Sequence, residues 1–289
     1  MDYTGLLIKY RINRPLSDEE RQNALPKELP ATSETPGIDG VLHLSDSYLE
    51  IVDKFYRYKG FATPFILAFI VICGGAIVLS TKAVFFSKVF LIDIPAIVFI
   101  LLGIVAPLGG IGWLIWVLGK EFFTYIHFPI ILNRQNRMVY VFRHNGPDGV
   151  LAVPWDKLFF CIGKAYGRGR GEKYFLSVRA HVVDDNGIVR DTFDLGTSAY
   201  EEEIIRVKWE YFRLYMEQGI KSVPAPPCIV HGRETLRESI ATVSSWFGIL
   251  LIAVIFLPVF ILQVFLRYLG LWTCKTPMWP ADVKAACQL

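Results

Sequence analysis

Residues 61–80 read FATPFILAFIVICGGAIVLS, a run without a charged side chain. As a helix rising ~1.5 Å per residue it covers about 30 Å, the thickness of a bilayer's hydrocarbon core. A second charge-free run, Ile94–Gly119, follows a short loop carrying Lys82, Lys88 and Asp93. A soluble domain can bury one such helix, but two in succession need a larger core than the rest of the chain can build. The stretch 61–119 therefore predicts a transmembrane hairpin, with spans at about 61–80 and 94–118. Pro64 falls in the first turn of its helix, where a missing N–H costs least, whereas Pro107 lies mid-span and predicts a bend. Ala76 with Ser80 and Ala106 with Gly110 have the small-xxx-small spacing that lets two helices approach closely. Glycine- and proline-interrupted spans also raise a transport path, but neither run has an ionisable residue at its middle to mark one.

Working outward, Tyr56 and Tyr58 with Lys54, Arg57 and Lys59 precede the first span as an interface anchor of aromatic rings and cations. Residues 1–60 are polar and charged, so the first span must direct insertion itself. Within them Ser17 with Glu20 and Ser47 with Glu50 have capping-box spacing and predict helix starts, while Pro26, Pro30 and Pro36 predict a linker.

After Lys120 the texture changes to short alternating segments punctuated by turns. Strands are predicted at 128–132, 138–143, 150–153, 158–162, 174–183 and 188–195, with Asp184-Asp185-Asn186-Gly187 as a hairpin turn. Asp191 and Asp194 could join that turn in an acidic metal site, but turn carboxylates are usually solvated, and no metal is assigned. Ile205, Trp209, Phe212 and Met216 then mark the apolar face of one helix ending at Gly219.

Short strands, the segment Val153-Pro154-Trp155-Asp156-Lys157-Leu158 and a final helix with a central Trp resemble the bacterial PH-like domains attached to membrane hairpins. The resemblance covers about 128–218 and implies an antiparallel β-domain capped by one amphipathic helix. The whole layout, with Asp46–Gly60, Asn133-Arg134 and Val153-Pro154-Trp155-Asp156, also resembles uncharacterised proteobacterial membrane proteins near type VI secretion toxin genes. It transfers no functional residue.

Residues 224–243 read as a linker, and 244–267 as a third span that overlaps the charge-free run Ile240–Leu266, bracketed by Trp246 and Trp272 as interface anchors. Residues 268–289 form a tail too short to fold alone. The expected fold class is an α+β membrane protein: segment 1–60, hairpin 61–119, β-domain 120–223, third span and tail. Three spans put the β-domain and the tail on opposite sides. Lys54, Arg57, Lys59, Lys120, Arg134, Arg137, Arg143, Arg233 and Arg237 on the domain side outnumber Lys82, Lys88, Arg267, Lys275 and Lys284, predicting a cytoplasmic domain and a periplasmic tail at the bacterial inner membrane.

The net charge of +3 is small and dispersed, which argues against nucleic acid as a partner. The five cysteines lack CxxC spacing and the five histidines lack metal-ligand spacing, so no cofactor is expected. The best candidate contact is the loop 163–173, where Lys164, Arg168, Arg170 and Lys173 stand among glycines. It suits anionic lipid headgroups or an acidic protein patch, and equally a solvated loop. The sequence thus predicts a non-catalytic inner-membrane interaction module, most concretely an immunity or accessory protein of a secreted toxin, with homo-oligomers allowed. The alternatives are a transporter or channel component, and a membrane-bound enzyme for which only Glu121 and His127 qualify.

Overall fold

The computed structural model describes residues 10–34, 37–86, 94–164, 175–247 and 257–288. The protein is α+β, and its contacts divide it into two compact units. The strand unit comprises 1–57, 125–232 and 276–289; the helical unit comprises 58–124 and 233–275.

Two antiparallel sheets build the strand unit. The first has the order β2 (Val41–Leu44), β3 (Tyr48–Ile51), β4 (Ile130–Asn133), β5 (Met138–Phe142), β6 (Val150–Pro154). The second has the order β1 (Arg14–Pro15), β9 (Ile188–Ala199), β8 (Leu176–Val183), β7 (Leu158–Lys164). Inward residues of both sheets, among them Leu49, Ile51, Val139, Val153, Phe160, Val178 and Leu195, meet in one core. Helix α5 (Glu202–Gln218) adds Ile205, Trp209, Phe212 and Met216, the stripe its 3.6-residue period predicts. Trp155 and Trp209 stack with ring centroids 5.8 Å apart, and Phe160 lies against both.

Several sequence expectations need correction. Ser47 and Glu50 open no helix: both lie in or beside β3, where Tyr48, Leu49 and Ile51 are buried and the strand pairs with β4. Sheet pairing outweighs a local cap that a neighbouring strand can replace. Ser17 and Glu20 do form a capping box, on α1 (Asp18–Gln22). The proline-rich stretch is tied down, since Ala31 N–H donates to Glu210 (3.0 Å) and Lys27 Nζ to the carbonyls of Trp155, Asp156 and Leu158. The β-rich region is also not confined to 120–223, because β1, β2 and β3 come from the first 60 residues.

The helical unit contains α2 (Thr63–Phe86), α3 (Ile94–Ile100) and α4 (Ala106–Glu121). Two helices are long and apolar enough to cross a membrane, Thr63–Phe85 and Val98–Glu121. Their large apolar side chains, Phe65, Phe69, Ile72, Leu102 and Ile115 among them, are exposed, unlike those of a soluble core. Between α3 and α4, Leu101–Val105 form a π-turn, and Ala106 N–H reaches back to Leu101 O. Pro107 supplies the cause: it has no N–H for Gly103 O, and its ring crowds that carbonyl, so the expected bend takes the form of a widened turn.

The expected third span is built from two described helices, α6 (Leu236–Phe247) and α7 (Leu257–Thr273), with 248–256 outside the described residues. Neither has the length of the first two. The tail, expected to stand apart, belongs to the strand unit, where α8 (Ala281–Cys287) covers the outer face of the first sheet.

Candidate functional site

Ionisable groups in the strand unit concentrate on the outer face of the second sheet. Strand β8 alternates: Val178, Ala180 and Val182 point into the core, leaving Ser177, Arg179 and His181 on the opposite face. Register places Cys161 and Asp194 on either side of Arg179, and Thr192 beside His181. The N-terminal segment covers this face. Asn13 N–H bonds Val189 O, Leu25 N–H bonds Phe160 O and Ile162 N–H bonds Asn23 O, at 2.7–2.9 Å.

Two polar networks hang from that cover. Asp194, buried, accepts from Ser177 Oγ (2.7 Å), Tyr10 OH and Lys54 Nζ, with Arg179 Nε at 3.6 Å. Burial alone would raise its carboxyl, but the charges of Lys54 and Arg179 and these hydrogen bonds bring it down to about 2. In the second, Arg14 clasps Glu20 through two bonds of 2.7 and 2.6 Å while Ser17 N–H donates to the same carboxylate. Burial again works against the charge, yet Arg14 and Ser17 hold Glu20 at about 2. His181 faces Glu20 at 3.2 Å through Nε2 and Thr192 Oγ1 at 2.8 Å through Nδ1; burial lowers it to about 4, so it is neutral at pH 7. Cys161 is pushed by burial up to about 12 and stays a thiol despite Arg179. Chemically the face is a latch for residues 10–25, its groups enclosed and paired. Beside it, a groove of about 410 Å³ opens between Leu16, Leu25, Lys27, Asp156, Phe159 and Val183.

The predicted site residues fare differently. Lys164 pairs with Glu19 at 2.6 Å, while Arg168, Arg170 and Lys173 lie outside the described residues. Tyr56 is buried in the strand unit with its ring edge on His127, whereas Tyr58 is exposed in the helical unit. Lys59 donates to Thr124 Oγ1. Trp272 is exposed, and Trp246 is half-buried against Phe61. Of the packing residues, Ser80 lies where a methyl on Gly103 would fall, and Cys73 touches the corresponding position of Gly110 at 4.0 Å. The seam therefore runs through Cys73 and Ser80 against Gly110 and Gly103, spaced by seven; Ala76 is half-buried and Ala106 exposed. Glu121 and His127 belong to different units: the first accepts from Thr63 Oγ1, the second stands by Tyr56. Asp184, Asp191 and Asp194 serve separate partners, Arg190, Arg143 and Lys54, and among the described residues no metal-binding cluster occurs.

The sequence reading missed Tyr10, Lys54 and Asp194 as one network and Arg14, Glu20 and His181 as another. The alternation of Ser177, Arg179 and His181 on a buried strand was the available signal. Residues 111–289 match a family model described as a family of unknown function (DUF6708), and since the match spans more than half of the chain, the protein belongs to that family. Searches of curated proteins and of solved structures returned no match.

Proposed function

We propose that this protein is a membrane-anchored binding module: the hairpin fixes it in the bacterial inner membrane, and the strand unit holds a protein partner on the cytoplasmic side. The observation that carries the reading is where the hairpin enters. Helices α2 to α4 are inserted in the chain between β3 and β4, neighbours in one sheet, so both chain connections of the anchor lead to paired strands. Four consecutive strands (β3–β6), three more (β7–β9) and a closing helix support a PH-like assignment. Binding rather than catalysis is favoured by the enclosed latch, in which the one cysteine facing an arginine remains a thiol. The most concrete form is an immunity or accessory protein of a type VI secretion toxin, acting by stoichiometric occlusion.

Co-expression with the neighbouring gene products, purification in detergent and mass spectrometry test this reading. A stoichiometric toxin-like partner, with protection of toxin-expressing cells, is expected; recovery of the protein alone, without protection, removes it. A second reading, a transporter or channel component, draws on the π-turn Leu101–Val105 beside Ser80, since such turns recur at functional sites. A tightly bound ion or small substrate in the purified protein would favour it.

A further inference from the structure

The apolar run Ile240–Leu266 has both of its ends at one place. Arg267, fully buried in the helical unit, donates through Nε to Glu234 Oε2 (2.9 Å), through Nη2 to Glu234 Oε1, and through Nη1 to Lys59 O (2.6 Å). Its guanidinium lies 5.5 Å from the centre of the Trp246 ring, and that ring meets Phe61 edge-on at 5.3 Å. One turn earlier on α7, Gln263 Nε2 donates to Gly60 O at 2.6 Å. Gly60 has φ +85°, and a side chain there would press on the Arg267 backbone at 3.0 Å. Residues before α6, near its end and late in α7 thus converge on 59–61, where α2 begins. Thr63 Oγ1 bonds Glu121 at the close of α4, and past α7 Lys275 N–H bonds Thr124 O at 2.7 Å. Every one of these contacts marks the same end of the α2–α4 hairpin.

We propose that the run 240–266 enters and leaves the membrane by one face, so that the chain crosses twice and the tail shares a side with the strand unit. The proposal rests on the membrane-hairpin reading above. Glu234 and Arg267 on opposite faces would be separated by about 30 Å of hydrocarbon, which no ion pair bridges. The stretch from Trp246 to Arg267 is also too short to cross the core and return, since each helical crossing of about 30 Å needs about twenty residues. The strand unit carries independent support. Trp279 of the tail lies edge-on to Phe142 at 5.8 Å, and Asn133 Nδ2 donates to Ala286 O at 2.8 Å. Charge agrees as well. Moving Arg267, Lys275 and Lys284 to the strand-unit side turns nine flanking cations against five into twelve against two, a sharper positive-inside bias.

Cysteines introduced one at a time at Asn186 (β8–β9 turn), Lys284 (α8) and Lys82 (far part of α2), in a full-length background with Cys228→Ser and Cys73→Ser and the three buried cysteines kept, test this with a membrane-impermeant maleimide on right-side-out and inside-out vesicles. Asn186→Cys and Lys284→Cys should react only in inside-out vesicles, and Lys82→Cys only in right-side-out ones. Lys284→Cys reacting with Lys82→Cys overturns the two-crossing topology while leaving the anchor intact. All three reacting from one side overturns the hairpin itself, and this proposal with it. Met278→Cys, exposed in the tail, replaces Lys284→Cys should that variant misfold.

Discussion

The outer faces of the two sheets solve the same problem with opposite chemistry. On the second sheet the N-terminal segment covers Arg179, His181, Thr192 and Asp194 and is held by charge and hydrogen bonds. On the first, the tail covers Ile131, Tyr140 and Phe142 with Trp279, Val283 and Cys287, held by ring contact and apolar area. One cover thus closes over several paired charges, the other over apolar rings with a single buried carboxylate, Glu50, whose pKa burial raises and the Trp279 hydrogen bond lowers.

The comparison is broken most severely at Asp194. Asp194→Ala strands Lys54 and Arg179 beside each other under the N-terminal cover, and removing one partner of a buried pair costs roughly 3–5 kcal/mol. Thermal unfolding in detergent should show that loss, with faster hydrogen exchange confined to residues 10–25 and their strand partners. On the apolar face, Trp279→Ala removes a ring buried on Phe142 and its Nε1 bond to Glu50 (2.8 Å), a cost of about 3 kcal/mol, with exchange rising at 276–288 instead. Equal responses of both ends to either variant would mean the covers are not independent.

Protons sharpen the contrast. His181 titrates lower in the fold, about 4, than in the unfolded chain, about 6.5, so the unfolded state binds the extra proton first. Its contribution is complete above pH 6.5 and fades as the pH falls to 4, on the order of 3 kcal/mol by the size of that shift. Glu20 and Asp194, held at about 2, act in a separate window: their stabilisation is present above the unfolded carboxylate value near 4 and is lost towards 2. Melting temperatures of the wild type and His181→Gln should converge between pH 6.5 and 4. The smallest effect is expected at Lys164→Ala, whose partner Glu19 is exposed; the change should stay within about 0.5 kcal/mol.

How much of this was legible follows from what each feature depends on. The two long apolar runs, the six strands after residue 128 and the Ile205–Met216 stripe are set by local composition and period, and they appear nearly where expected. Strands β2 and β3 were not legible, because both are four-residue runs, Ser47 with Glu50 mimics a helix cap, and Tyr48–Ile51 is fixed between Val41–Leu44 on one side and the distant Ile130–Asn133 on the other. The Ala76–Ser80 and Ala106–Gly110 spacing lies on the same two segments, but the close approaches are Ser80 to Gly103, inside the π-turn, and Cys73 to Gly110, which a spacing of four does not convey. The N-terminal latch depends on Tyr10 and Asp194 meeting from distant parts of the chain, which no spacing rule conveys.

If the exposed apolar helices anchor the folded strand unit in a bilayer, the full-length protein must fractionate with membranes. After flotation with lipid and a wash at pH 11, the account predicts that the chain stays with the membranes, and that Ile72→Arg with Ile115→Arg, each placing a cation among exposed apolar side chains at a cost of ~3 kcal/mol, reduces that retention. Release of the wild-type chain into the alkaline wash would contradict it.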